Sequence, residues 1–176
     1  MFLYHGTSVN NAHQILREGF RDRVLGGKSN WSGKVISQSG FVYLTKAYPF
    51  FYASNAAKEN EIQGVVIKVE VDEKDLYPDE DILRFNKVKG KIDIRNYKEY
   101  SVLSLEELGN VAVKPEDIKK IIGMKTFDIA TMIFYSDPSM SPMNYMFLGK
   151  YYCMLTDTWW NDGDWKSINK FNMITL

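Results

Sequence analysis

The chain has 176 residues, enough for one domain with an ordinary core. Its 22 Lys and Arg balance 22 Asp and Glu, which excludes a broad basic field for DNA or a membrane surface. One cysteine, Cys153, and two histidines, His5 and His13, exclude an internal disulfide and multi-cysteine zinc or iron–sulfur sites. No basic-then-apolar leader and no run of about 18 apolar residues is present, so the reading is a cytoplasmic chain without membrane or metal.

In chain order, Phe2 to Tyr4 reads as a short apolar strand. Ser8 is a good helix N-cap, and Ala12, Ile15 and Leu16 form one apolar stripe before Gly19 ends the helix. Arg21 to Gly40, rich in Gly, Ser, Lys and Asn, reads as a long loop. Phe41 to Thr45 is an apolar strand, and Phe50 to Lys58 a small alanine-bearing helix. Gly64 to Val71 alternates Val65, Ile67, Val69 and Val71, the pattern of a half-buried strand. Asp72 to Asp81 is acidic and turn-rich. Asn110 to Val113 predicts a further strand, and Pro115 to Ile122 a short helix with Ile118, Ile121 and Ile122 on its buried side. Short helices among strands without regular alternation argue for an α+β fold, not a doubly wound sheet.

The residues with chemical promise come early. His5-Gly6-Thr7 at a strand end sets an imidazole beside bare backbone. Tyr43 on the second strand and Tyr52 on the helix after it offer aromatic faces, a combination suited to a planar nicotinamide ring and its ribose. The order His5-Gly6-Thr7, then Tyr43-Leu44-Thr45, then Tyr52-Ala53, then the Gly64–Val71 strand resembles the ADP-ribosyltransferases, in the branch of diphtheria toxin and the poly-ADP-ribose polymerases. The resemblance covers about residues 2 to 124. It implies a split antiparallel β-sandwich with short helices over 1–124, and leaves 125–176 as an aromatic-rich C-terminal extension packed on the same domain.

The resemblance also implies NAD as co-substrate. His5 would bond the adenosine-side ribose, the Gly6 backbone, with Thr7 after it, would hold the nicotinamide amide, and Tyr43 and Tyr52 would stack around the ring. A cation of the early loop would meet the pyrophosphate: Arg23 or Arg21, with Lys28 and Lys34 equal candidates. The third motif has two registers. Tyr97-Lys98-Glu99-Tyr100 makes Glu99 the catalytic carboxylate of a strand. Asn110-Val111-Ala112-Val113 puts Asn110 there instead, with Glu106 supplying a carboxylate from the preceding loop. Cleaving the nicotinamide–ribose bond passes through an oxocarbenium-like state, which a carboxylate stabilises by charge and an Asn does not.

The implied activity is transfer of ADP-ribose to a macromolecular acceptor, RNA, DNA or protein, in an intracellular toxin or a phage–host conflict factor. The alternatives are an inactive module that binds NAD, ADP-ribose or a partner, and an RNA 2′-phosphotransferase-like enzyme, which two histidines disfavour. Plainer readings stand beside these. His5 serves as a structural hydrogen-bonder, Tyr43 and Tyr52 as core aromatics, Glu99 as a solvated acid, and Asp79-Glu80-Asp81 as a solvent-facing turn without metal. The aromatic load near the C-terminus (Tyr151, Tyr152, Trp159, Trp160, Trp165, Phe171) reads first as a core extension. Its other readings are a base-stacking platform and a docking surface for an antitoxin or inhibitor protein.

Overall fold

A computed structural model describes residues 1–21, 37–46, 49–57 and 62–128. Arg23, Lys28, Lys34, Cys153 and the C-terminal aromatic cluster lie outside these residues. The described strands form one antiparallel sheet in the order β4-β5-β2-β1-β3-β6, with short helices on it, so the mixed α+β class holds.

Strand β1, Phe2–Ser8, is longer than its apolar start suggests. Leu3 and Thr7 alternate inward, and Ser8 closes the strand and caps helix α1, Val9–Glu18, by accepting from the Asn11 backbone at 3.2 Å. Gly19 ends that helix at φ 75°, a conformation its missing Cβ permits. Strand β2, Val42–Thr45, leads into helix α2, Pro49–Ala56, whose first residue is the proline. Strand β3, Gln63–Val71, is buried along most of its length between β1 and β6.

Three stretches depart from the sequence expectations. The acidic stretch 72–81 contains a short edge strand, β4, Leu76–Pro78, and the start of helix α3, Glu80–Phe85. Residues Ile94–Tyr100 form helical turns, not a strand, and run into helix α4, Ser101–Glu107. Strand β5, Asn110–Val113, is as expected. Beyond it, Pro115–Asp117 makes one helical turn, and Ile118–Asp128 is strand β6 instead of a helix, continuous across residue 124. The sheet register explains the misreading. Val71 pairs with Ile118 but Val69 pairs with Ile121, because an extra residue bulges out of β6 between them. That bulge turns a spacing of two into a spacing of three, which imitates a helical stripe.

Each face of the sheet carries its own core. Leu3, Val42, Leu44, Ile67, Val69 and Val111 pack on one face with Ala12, Ile15 and Leu16 of α1. Ala112, Phe41 and Tyr43 pack on the other with Ile82 and Leu83 of α3 and with Ile94. The six strands are linked in one hydrogen-bonded order, with a narrow seam between β1 and β2. β1 and β2 register only at Tyr4↔Thr45, whereas β1 and β3 register along seven residues. Among the described residues no helix is long and apolar enough to cross a membrane.

Candidate active site

The seam is where the motif residues meet. Tyr4 registers with Thr45, and Thr45 with Asn110, so all three project to one face. Alternation along β1 puts Gly6 on that face too, and α2 lies directly over it. A Cβ built on Gly6 would fall 2.1 Å from the Pro49 carbonyl oxygen, 2.5 Å from the Ala53 nitrogen and 2.9 Å from the Tyr52 Cβ. Only glycine admits the helix this close. The contact aims the Tyr52 ring across the seam, where its hydroxyl accepts from Asn110 Nδ2 at 2.7 Å. Residues 6, 52 and 110, far apart in sequence, are thus joined by one contact and one hydrogen bond.

Asn110 is the first residue of β5 and only 8 % exposed. Its Oδ1 has no hydrogen-bond partner among the described residues. A buried acceptor without a donor is costly, on the order of 1–3 kcal/mol, and marks a place where a ligand can supply a hydroxyl or amide proton.

Next to Asn110 stands an acidic group. β4 and β5 pair through Pro78↔Val111, so Asp79 follows opposite Asn110. The buried Ser104 hydroxyl continues the ladder there, accepting from the Asp79 backbone N–H at 2.9 Å and donating to the Asn110 carbonyl at 2.7 Å. Asp79 caps α3 by accepting from the Asp81 N–H at 3.0 Å. Burial, then the charges of Glu80 and Asp81, pushes its carboxyl up to about 7, against the lowering effect of the Asp81 N–H bond.

Glu80 itself is 4 % exposed and takes the Tyr43 hydroxyl and, at 2.9 Å, the Gln38 backbone N–H. Burial raises the pKa of Glu80, and burial together with Glu80 raises that of Tyr43. The Gln38 side chain ties the same corner to the Ile92 carbonyl at 2.6 Å and the Ile94 N–H at 3.2 Å. The acidic stretch is therefore not a solvent-facing turn. Its signal was Asp79 as an N-cap, followed by acids in a first turn and then by Ile82 and Leu83.

The remaining sequence candidates are dispersed. His5 pairs with Ile67 on the α1 face, sets its ring edge-on to Phe20 at 5.4 Å, and has Nδ1 3.0 Å from the Tyr43 carbonyl. A carbonyl only accepts, so Nδ1 carries the proton. The His5 and Tyr43 side chains leave opposite faces of the sheet, and His5 Nδ1 reaches the Tyr43 carbonyl. The expectation that Tyr43 lines the pocket beside His5 is corrected: its ring packs on the second core and its hydroxyl is committed to Glu80. Thr7 pairs with Val65 and is buried on the α1 face, away from Gly6. Glu99 is exposed on a helical turn whose Tyr97 and Tyr100 face the core, so it does not sit on a strand. Glu106 is exposed on α4, and Arg21 is exposed beside Glu18. Among the described residues no group of three or more His, Cys, Asp or Glu is placed to hold a metal ion.

Comparison of the chain with protein-family models, with curated proteins and with solved structures gives no match.

Proposed function

We propose that the chain is an NAD-dependent ADP-ribosyltransferase acting on a macromolecule. The convergence of Gly6, Tyr52 and Asn110 at the seam carries this reading, because three motifs that resemble the family separately in sequence meet in one place. The unpaired Asn110 Oδ1 adds to it, since a ribose hydroxyl is the kind of donor that the site lacks. NAD supplies an activated glycosidic bond, its nicotinamide a good leaving group. In this reading the Gly6 backbone and the Tyr52 ring hold the nicotinamide end and Asn110 Oδ1 accepts from the adjoining ribose, while His5, on the opposite face, braces the seam through the Tyr43 carbonyl. The finer fold, a split sandwich of the transferase type, belongs to the same proposal.

The acceptor class has one pointer. Arg84, Lys87, Lys89, Lys91, Arg95 and Lys98 are all exposed, with Asp93 the one carboxylate in that stretch. Such a strip favours a polyanion over a neutral protein face. The test is incubation of the purified chain with NAD labelled in the adenylate, together with nucleic acid or lysate protein. Release of nicotinamide and label that nuclease removes support transfer to nucleic acid, and label that protease removes supports a protein acceptor. Neither nicotinamide release nor incorporation overturns the reading.

Asn110 at the position of the expected acid favours the second reading, an inactive module that binds NAD or ADP-ribose. Saturable NAD binding without nicotinamide release selects it.

A further inference from the structure

On the reading that the site transfers ADP-ribose, we infer that Asp79 provides, from the neighbouring strand end, the carboxylate that position 110 lacks. Three observations place it. Asp79 follows Pro78, which pairs with Val111, and so stands beside Asn110 at the end of the β4–β5 ladder. Ser104 fixes that juxtaposition by bonding the Asp79 N–H and the Asn110 carbonyl at once. Continued alternation from Tyr77, which packs on the second core, turns Asp79 toward the face of Asn110 and Tyr43.

One oxygen of Asp79 caps α3, and its second makes no hydrogen bond among the described residues. At the cross-strand position, Asn110, more than nine-tenths buried, carries an Oδ1 with no partner among the described residues. An unpaired acceptor and a carboxylate at facing strand positions call for a ligand that brings donors, and the hydroxyls of a ribose do so.

Among the described residues no other carboxylate is as well placed. Glu80 is taken by Tyr43 and Gln38, and Glu99 and Glu106 are exposed on helical segments. The titratable groups around Asp79 are Glu80 and Asp81 on α3 and Tyr43 on β2; both carboxylates raise its pKa, and no cation is among the causes of its shift. The resulting value near 7 suits a group that gives and takes a proton at neutral pH.

The step balances as follows. The ribose C1′–nitrogen bond breaks and its electron pair leaves with nicotinamide, which departs neutral. Ionised Asp79 stabilises the positive charge on the ribose. An acceptor hydroxyl or amine then bonds to C1′, and its proton passes to Asp79 and on to water.

The variant Asp79→Asn keeps an oxygen for the Asp81 N–H, so α3 stays capped while the charge is lost. It is expected to lower nicotinamide release about 10²-fold or more and to abolish the rise in rate centred near pH 7. Asp79→Ser, a second capping residue without charge, is expected to behave alike, and Asn110→Asp on the Asp79→Asn background to restore much of the rate. A wild type that releases nicotinamide and an Asp79→Asn variant with equal rate and the same pH profile overturn this inference alone. A wild type that neither binds NAD nor releases nicotinamide overturns the transfer reading and this inference with it.

Discussion

Gly6 sits beneath α2 with no room for a methyl group. The atoms that a Cβ would strike belong mostly to backbone, at 2.1 and 2.5 Å, so no side-chain rotation relieves the clash. Gly6→Ala is expected to destabilise by about 3 kcal/mol, the upper end of overpacking costs, and to lift Tyr52 away from Asn110. Urea unfolding checks the first effect, and NAD titration of the folded fraction checks the second. The buried acids give a second test at this scale. Burial pushes Asp79 up to about 7 and Glu80 upward, so the folded state binds protons more tightly than the unfolded chain. The Asp79 contribution is therefore greatest at low pH, falls as pH rises from about 4 to about 7 and levels off above, and Glu80 adds a loss of the same sign. The drop attributable to Asp79 is about 2–4 kcal/mol, and Asp79→Asn removes it. Unfolding free energies measured at pH 5 and pH 8 decide this, and a stability that rises over that interval contradicts the assignment. A charge kept at such a cost is more readily explained by chemistry than by packing.

Ser104 joins three elements. It belongs to α4, and its one hydroxyl completes the ladder between the end of β4 and the start of β5. Ser104→Ala leaves a buried N–H and a buried carbonyl without partners, which costs about 2–4 kcal/mol in sum. Because the same change frees Asp79 from Asn110, the folded variant is expected to lose most transfer activity. Chemical denaturation alongside a nicotinamide-release assay measures both. Much of the element pattern was legible in the residues. Ser8 and Gly19 bounded α1, alternation marked β3, and Val42 to Thr45 and Asn110 to Val113 were strands in both readings. The failures have physical causes. β4 is three residues long and contains Pro78, too short to show alternation. Bulges in β6 replaced the strand period with a helical one. Glu99 stood in a stretch that resembled a motif, but Tyr97 and Tyr100, three apart, obey the helical period that set its place. The place of Asn110 at the start of β5 was legible because its strand was. The place of Asp79 opposite Asn110 was not legible, because it depends on a ladder partner that no local pattern reveals.

At the scale of the molecule the sheet has two halves, β1–β3–β6 under α1 and α2, and β4–β5–β2 with α3 and α4. Three links described here cross between them: the Tyr4↔Thr45 pair, the His5 Nδ1–H donating to the Tyr43 carbonyl, and the Asn110 amide donating to the Tyr52 hydroxyl. β3 is paired on both sides, seven residues to β1 and nine to β6, whereas β2 and β5 have four residues each and β4 three. Fewer shared ladder bonds mean a lower opening free energy for the second half. Native-state hydrogen exchange is therefore expected to show β4, β5 and β2 opening below the free energy of β3 and β6. A dinucleotide held by residues of both halves binds only when they are closed, so NAD is expected to slow exchange in both and to bring their opening energies together, by RT ln(1 + [L]/Kd) for the weaker half. Protection confined to one half, or one opening energy shared by all strands without ligand, contradicts a binding site built across the seam.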